Sequence, residues 1–275
     1  MHGSRNVTSV VVFTDLDGSL LNEHDYGYEE ALPALARIRA ARVPLVFVTS
    51  KTRREVERLQ AAMDLREPFV VENGGGIFFP VGYDRLPPAG VSREGYGLLS
   101  LGRPYGEIRR FFQAAQARFD ILGFGDMSVK DIADLTDLPV WAAGDAKERD
   151  FTEPFLLSRP DQLYALEQEA QRAGLAVTRG GRFHHLMDAN QDKGKAVRLL
   201  TSLFRRQARG RIVTVGLGDS ANDLPMLREV GVPVLLWRPD PPPGTENLPR
   251  LDLSKHPGSR GWNEAVNKVF DDLHL

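Results

Sequence analysis

The chain has 275 residues, of which 42% are hydrophobic and 26% are charged, and its formal net charge is -2. These values are ordinary for a globular protein, and so small a net charge gives no electrostatic basis for binding nucleic acid or a membrane surface. The sequence contains no cysteine, which excludes disulfides and thiolate metal sites and leaves oxygen and histidine ligands. Because no segment approaches about eighteen apolar residues, we expect a cytoplasmic protein without a membrane span.

The first predicted strand, residues 10–14, runs directly into two aspartates, Asp15 and Asp17, and then into Gly18. In an open α/β sheet, ligands bind beyond the carboxyl ends of the strands. The period-two alternation of a strand points both carboxylates to the same side, where they repel by about 4 kcal/mol at an effective dielectric of about 20. One of them should therefore be protonated, or a cation should lie beside them. Taken alone, an exposed Asp-x-Asp-Gly turn is an equally good interpretation.

Strands and helices alternate over the first third of the chain. A helical face is predicted through about residue 41, and a capping box of Thr52 and Glu55 predicts the start of a second helix. Apolar runs at 44–48 and 69–71 are the next strands. This spacing is typical of a parallel, right-handed α/β sheet.

From about residue 84 the pattern becomes less regular and indicates an antiparallel α+β layer. The predicted elements are helices near 105–119, 128–135 and 163–170, a strand at 155–157, and a hairpin that turns at Gly180-Gly181. We interpret residues 84–188 as an inserted domain, with 1–83 and 189–275 forming the α/β core.

The α/β pattern resumes after the insertion. Lys193 opens a helix, and a strand at 211–215 ends in an acidic, glycine-bearing loop at 216–223. A last strand at 233–237 and a terminal helix at 261–273 complete the predicted core.

Polar side chains follow successive units of this core, and together they suit phosphoryl transfer. Such a reaction through a carboxylate nucleophile needs a divalent cation, hydroxyl donors for the phosphate oxygens and a positive charge. Oxygen ligands favour Mg²⁺. We predict that Asp15 is the nucleophile that forms an aspartyl-phosphate, and that Asp17 donates and later removes a proton. The set consists of Asp15, Asp17, Thr49, Ser50, Lys193, Asp219, Asn222 and Asp223.

These segments, in this order, resemble the four motifs of the haloacid dehalogenase-like phosphatases. The resemblance implies a doubly wound, Rossmann-like α/β core with an inserted α+β cap domain. It implies that Asp15, Asp17, Thr49 and Lys193 are catalytic. It also implies Mg²⁺ bound by Asp15, the backbone carbonyl of Asp17 and Asp219, with help from Asn222 or Asp223.

A closer resemblance, to the mannosyl-3-phosphoglycerate phosphatases, rests on further segments. These are residues 13–18, 48–52, 72–78, 153–155, 180–185 and 261–263. Such enzymes release mannosylglycerate, a compatible solute, from its phosphorylated precursor. A glycerate carboxylate and sugar hydroxyls call for Arg, backbone amides and side-chain acceptors. The predicted substrate-binding residues are Ser50, Lys51, Glu72, Asn73, Glu153, Gly180, Gly181, Arg182 and His185.

Several alternatives stay open at this point. The substrate could be glucosyl-3-phosphoglycerate, sucrose phosphate or a hexose phosphate, the enzyme could be phosphomannomutase-like, or the chain could be a non-catalytic binding module. Trp262 is interpreted as a packing residue, and the glycines at 74–76 as a turn or a substrate contact with equal weight. The sequence leaves the oligomeric state open.

Overall fold

A computed structural model describes residues 9–180 and 183–275. These residues form two compact units. The first holds the described residues of Met1–Thr49 together with Val81–Pro88 and Lys193–Leu275, and the second holds Ser50–Pro80 and Ala89–Asp192. Among the residues described, no helix is long and apolar enough to cross a membrane.

The strands and helices are numbered in chain order. The strands are β1 (Ser9–Thr14), β2 (Leu45–Val48), β3 (Phe69–Val71), β4 (Gly76–Pro80), β5 (Val91–Arg93), β6 (Tyr96–Ser100), β7 (Ile121–Gly123), β8 (Glu153–Leu157), β9 (Leu175–Gly180), β10 (Phe183–Asp188), β11 (Ile212–Gly218), β12 (Val232–Leu235) and β13 (Asp252–Leu253). The helices are α1 (Leu32–Ala40), α2 (Arg53–Ala62), α3 (Tyr105–Ala115), α4 (Val129–Thr136), α5 (Val140–Lys147), α6 (Leu163–Arg172), α7 (Lys193–Gln207), α8 (Leu224–Glu229) and α9 (Gly258–Asp272).

The first unit is built on parallel strands in the order β13-β12-β11-β1-β2. Strand β1 pairs along its edges with β11 and β2, and its residues 10–14, which point to both faces of the sheet, are all buried. This is why β1 is a continuous apolar run rather than an alternating one. Helix α1 carries its proline in the first turn, where proline is tolerated, and Asn263 of α9 accepts a hydrogen bond from the Ala34 amide at 3.0 Å.

The second unit contains antiparallel strands in two runs, β3-β4-β6-β5 and β7-β8-β10-β9. Helices α3 and α6 contribute to one apolar cluster with the second run, and α4 and α5 form another. The predicted hairpin is confirmed, since Phe183 of β10 pairs with Gly180 of β9. Its turn residues, Gly181 and Arg182, lie outside the described residues.

Several predicted boundaries were wrong. Helix α3 ends at Ala115, before the predicted residue 119, and α9 begins at Gly258, directly after Pro257, rather than at residue 261. Helices α5 and α8 and strands β4, β5, β6, β7 and β13 were not predicted. Strand β5 is largely exposed, so its sequence carries no apolar alternation. The assignment of 84–188 as a cap inserted into a core of 1–83 and 189–275 stays our proposal.

Candidate active site

The carboxyl ends of β1 and β11 bring the first and the last acidic segments together. Thr14 pairs with Leu217 in the parallel register, and the Asp15 amide donates to the Leu217 carbonyl oxygen at 2.9 Å. Asp219 follows β11 directly. The exposed fractions of Asp15 and Asp219 are only 5% and 4%. The strand pairing therefore holds two carboxylates at one edge of the sheet, largely out of water.

Lys193 joins two of the acidic residues. Its Nζ donates to Asp15 Oδ1 and to Asp223 Oδ1, each at 2.6 Å, and the side chain is 1% exposed. Lys193 is the first residue of α7, where a positive charge is unfavourable unless anions lie nearby. The two carboxylates supply those anions, so the position of the lysine is explained by what it binds.

Asp223 fixes the loop that carries Asp219. Its Oδ2 accepts from the Asp219 amide at 3.1 Å, from the Ser220 amide at 3.0 Å and from Ser220 Oγ at 3.1 Å. A Cβ on Gly218 would lie 2.5 Å from the Asp223 Cβ, so this packing requires glycine. With its other oxygen bonded to Lys193, Asp223 orients both the loop and the lysine.

Arg238 also contacts the acidic residues, although it was not among the site residues predicted from the sequence. Its guanidinium donates to Asp219 Oδ2, and its other terminal nitrogen lies 3.5 Å from Glu23 Oε1. A Cβ on Gly18, whose φ is +73°, would lie 2.6 Å from the same Asp219 oxygen. Arg238 follows the carboxyl end of β12, so the rule that identified the other residues would have identified it too.

The electrostatics of this group are dominated by burial and crowding. Burial, and then the charge of Asp223, raise the pKa of Asp15 well above its ordinary value, against the pull of Lys193. The same two causes raise the pKa of Asp219 to about 7, although Arg238 opposes them. Burial would lower the pKa of Lys193, but Asp15 and Asp223 outweigh it and raise it. These residues therefore carry an excess of negative charge at a site that is shielded from solvent.

The three acidic residues fit a divalent metal. Asp15, Asp219 and Asp223 each offer a carboxylate oxygen, and these oxygens lie within 4.8 Å of one another. With all three ionised, they are opposed in this contact set by two cationic side chains, Lys193 and Arg238. An all-oxygen donor set with a net negative charge suits Mg²⁺, whose charge would balance it.

The other predicted residues of this unit lie around the same strand ends. Asp17 is half-buried, and its backbone bridges to Leu21. Thr49 is fully buried directly after β2. Asn222 is half-buried, and its Oδ1 accepts a hydrogen bond from Ser220 Oγ. The roles of these residues stay predictions.

Glu72, in the second unit, uses its carboxylate within the protein. Oε1 accepts from the Asp150 amide at 2.7 Å, and Oε2 accepts from the Phe151 amide at 3.0 Å and from the Thr152 amide and hydroxyl at 2.8 Å each. Glu72 and Asn73 have φ values of 50° and 58°, which non-glycine residues rarely adopt. The hydrogen bonds hold this strained turn against residues 150–152. They give Glu72 a structural role, and its contact with substrate stays a prediction.

Glu153 is engaged in the same way. Oε2 accepts from the Tyr105 hydroxyl at 2.6 Å and lies 3.2 Å from an Arg109 nitrogen, and Oε1 accepts from the Gly125 amide at 2.9 Å. Burial raises the pKa of Glu153, while the bonds from Tyr105 and Gly125 lower it. Tyr105 and Arg109 had no sequence signal beyond their place on a helix.

The remaining predicted substrate residues are also in the second unit. The Ser50 carbonyl accepts from Arg149 at 2.8 Å, and Lys51 lies 3.4 Å from Glu55 Oε1. His185 is 5% exposed on β10. Asn73 is buried and Gly180 ends β9.

The glycines at 74–76 have a packing explanation. A Cβ on Gly75 would lie 2.4 Å from Phe151 Cβ, and one on Gly76 would lie 2.7 Å from the Phe151 ring. Both glycines are therefore needed where this segment crosses Phe151, so the structure favours the turn over the substrate contact.

Comparison with known proteins gives a consistent result. The haloacid dehalogenase-like hydrolase family matches residues 12–83. The glucosyl-3-phosphoglycerate/mannosyl-3-phosphoglycerate phosphatase of Persephonella marina is 46% identical over 264 residues, which cover 96% of this chain and 98% of that protein. The protein of the same name from Methanococcoides burtonii is 39% identical, covering 93% and 95%. The mannosyl-3-phosphoglycerate phosphatase of Pyrococcus furiosus is 34% identical, covering 82% and 90%.

Solved structures support the fold. A haloacid dehalogenase-like hydrolase from Bacteroides thetaiotaomicron has a TM-score of 0.66 at 16% identity, covering 96% of this chain and all (100%) of that one. The sucrose-phosphatase from Synechocystis sp. PCC6803 has a TM-score of 0.64 at 16% identity, covering 96% and 99%. At such low identity these likenesses concern the fold alone, which is the predicted α/β core with a cap domain.

The fold and the acidic group at its strand ends define the class: the chain belongs to the haloacid dehalogenase-like phosphatases. Within that class it lies close to the mannosyl-3-phosphoglycerate phosphatases, as the sequence motifs predicted.

Proposed function

We propose that this enzyme is a Mg²⁺-dependent phosphatase that hydrolyses mannosyl-3-phosphoglycerate to mannosylglycerate and phosphate. The observation that carries the chemistry is the buried group of Asp15, Asp219 and Asp223 around Lys193. The observation that carries the substrate is 46% identity, over 96% of the chain, to a phosphatase named for glycosyl-3-phosphoglycerates.

In the proposed reaction Asp15 is the nucleophile. One of its carboxylate oxygens forms a bond to phosphorus while the bond from phosphorus to the glycerate oxygen breaks. Asp17 gives its proton to the departing oxygen and later takes one from the water that hydrolyses the aspartyl-phosphate. Both protons are accounted for, so Asp17 returns to its starting state after each turnover.

The remaining residues of the group stabilise charge. Lys193, already bonded to Asp15, favours the ionised form of that carboxylate and holds it in place, and the Thr49 hydroxyl donates to a phosphate oxygen. Asp15, the Asp17 carbonyl and Asp219 would hold the Mg²⁺, with Asn222 and Asp223 supporting them. When bound, the ion supplies positive charge for the phosphate oxygens and for the crowded carboxylates.

A second substrate has specific support. The relatives from Persephonella marina and Methanococcoides burtonii carry both glucosyl- and mannosyl-3-phosphoglycerate in their names, and these two are more similar to this chain than the relative named for mannosyl alone. We therefore propose activity on both compounds. The shared feature is the phosphorylated glycerate, whose carboxylate the candidates Gly180, Gly181, Arg182 and His185 would recognise.

The test is kcat/KM for both glycosyl-3-phosphoglycerates against sucrose phosphate and several hexose phosphates. We expect each glycosyl-3-phosphoglycerate to exceed every other phosphate by more than about tenfold, equivalent to about 1.4 kcal/mol of discrimination. A smaller preference would contradict the substrate assignment. Release of inorganic phosphate must match loss of substrate, because a mutase would return a phosphorylated sugar instead. Activity that survives chelation of the metal would contradict the Mg²⁺ requirement.

A further inference from the structure

The segment that carries the proposed nucleophile is held at both ends by the C-terminal helix. We call residues 15–22 the nucleophile loop. One end follows β1 and the other is at Asn22, and both ends are bonded to the start of α9. Residues 261–263 of this helix are among the segments that carry the closer family resemblance, but none of them has a role in the proposed reaction.

At the first end, hydrogen bonds run from Trp262 to Asp15. The indole Nε1 of Trp262 donates to Thr14 Oγ1 at 2.9 Å, and the Thr14 hydroxyl donates to the Asp15 carbonyl oxygen at 2.7 Å. Trp262 and Thr14 are both 0% exposed. An indole nitrogen can only donate, so the hydroxyl must accept from it and direct its own proton elsewhere. The Thr14 hydroxyl therefore donates its hydrogen bond to the backbone carbonyl of Asp15, the proposed nucleophile.

At the second end, Asn22 receives two hydrogen bonds from the first turn of α9. Its Oδ1 accepts from the Ser259 amide at 3.1 Å and from Ser259 Oγ at 2.8 Å. Gly258 has a φ of +56°, and a Cβ there would lie 2.7 Å from the same Asn22 oxygen. The approach of helix to loop therefore requires glycine at this position.

We propose that the first turns of α9 position the nucleophile loop, with Trp262 and Thr14 as positioning residues for Asp15. The inference rests on the proposed role of Asp15 as nucleophile. Packing alone does not account for the arrangement. A buried, directional hydrogen bond to Thr14, the residue before the nucleophile, fixes the orientation of the backbone as well as filling space. An in-line attack tolerates little misplacement, since about 1 Å can reduce a rate about a hundredfold.

The test removes the hydrogen bonds; Thr14→Val does so at nearly constant volume, whereas Trp262→Phe also removes part of a buried ring. Trp262→Phe deletes the indole N–H, and Thr14→Val replaces the hydroxyl with a methyl group. We expect each variant to lower kcat about tenfold or more while KM changes less than about twofold. Thr14→Ser, which keeps the hydroxyl, should restore kcat to within about threefold of the wild type. The double variant should lose no more than the worse single variant, because both act through one chain of bonds.

The matched control is Asn263→Ala. Asn263 is the next residue of α9, but its Oδ1 bonds the Ala34 amide of α1 rather than the nucleophile loop. This variant should lower Tm and leave kcat unchanged below Tm. If Trp262→Phe and Asn263→Ala lower Tm equally and both keep the wild-type kcat, the positioning role is wrong and Trp262 only packs.

A spectroscopic readout is independent of turnover. Trp141 and Trp237 are 60% and 47% exposed, whereas Trp262 is buried, so its indole N–H resonance is the one protected from exchange with solvent. Thr14→Val should shift that resonance upfield and leave the other two in place, and an unchanged resonance would contradict the hydrogen bond.

Asp15→Asn separates the two proposals. If it still turns over, the proposed function fails; if it is inactive while Trp262→Phe has full rate, only the positioning role fails.

Discussion

Buried carboxylates occur in both units of the molecule, and their surroundings differ. In the second unit, Glu72 and Glu153 are both 0% exposed, and both oxygens of each accept hydrogen bonds from the protein. In the first unit, Asp15 and Asp219 are nearly as buried, yet they crowd against Asp223 with two cations, Lys193 and Arg238, to balance three carboxylates.

We propose that this difference separates the acids that take part in the reaction from those that stabilise the structure. A carboxylate whose two oxygens both accept hydrogen bonds from the protein stabilises the surrounding structure and has less acceptor capacity left for a ligand. A group of carboxylates whose negative charge is not balanced by the protein favours the binding of a cation. Burial and acidity alone therefore do not identify a catalytic residue; the balance of donors around the acid does. The predictions below test this contrast.

The largest effect is expected from Asp219→Asn. Loss of one carboxylate from the acidic group should lower kcat/KM at fixed Mg²⁺ by about a hundredfold or more, because the cation is held less well. Raising the Mg²⁺ concentration should recover part of the activity. The control is Asp240→Asn, the same change at an exposed position of the same unit. Equal activities of the two variants would contradict the assignment.

Glu72→Gln should affect stability rather than catalysis. An amide can accept at only one atom, and its NH₂ would face amide donors of residues 150–152, so we expect a loss of about 2–4 kcal/mol in the free energy of unfolding. Denaturant unfolding measures this, and kcat with a generic phosphate monoester should stay within about threefold below Tm. A normal Tm with a raised KM for the glycosyl substrate would instead make Glu72 a substrate-binding residue.

The affinity for Mg²⁺ should depend on pH. The raised pKa of Asp219, about 7, means that the metal-free side chain takes up a proton as pH falls below 7. Because a proton and the cation compete for it, this carboxylate alone should raise the apparent Kd by up to about tenfold per pH unit below 7. The raised folded pKa also predicts that the metal-free protein loses stability as pH rises from about 4 to about 7. Calorimetric titration at several pH values checks the first prediction, and a Kd independent of pH would contradict it.

The smallest effect is expected from Arg238→Met. Removing this cation leaves Asp219 without its guanidinium partner, so Mg²⁺ should bind several-fold more tightly in the absence of substrate. Arg198→Met is the matched control, since Arg198 pairs with Glu229 on the surface of the same unit. Weaker Mg²⁺ binding by Arg238→Met than by the control would show that Arg238 orients Asp219 instead of competing with the cation.

The acidic group was predictable because its residues follow parallel strands. Apolar runs and spacing predicted β1 and β11, and parallel pairing then places Asp15 and Asp219 at one edge. Arg238 obeys the same rule but was overlooked because its strand, β12, is followed by a proline-rich loop.

The second unit was less predictable for a physical reason. The partners of Glu72 are backbone amides near residue 151, and backbone groups carry no sequence signal. The partners of Glu153, Tyr105 and Arg109, lie more than forty positions away along the chain. Tertiary contacts of this kind decide whether a buried acid is structural, and a single sequence does not contain them.

The central claim is that the acidic group of the first unit performs covalent phosphoryl transfer through Asp15. The most direct measurement is turnover of a generic aryl phosphate with Mg²⁺ by Asp15→Asn, purified free of host phosphatase, with Asp240→Asn as the control. We predict that Asp15→Asn retains less than about 0.1% of the wild-type kcat at unchanged Tm, while the control is fully active. Turnover by Asp15→Asn at more than a few per cent of the wild-type rate would contradict the account.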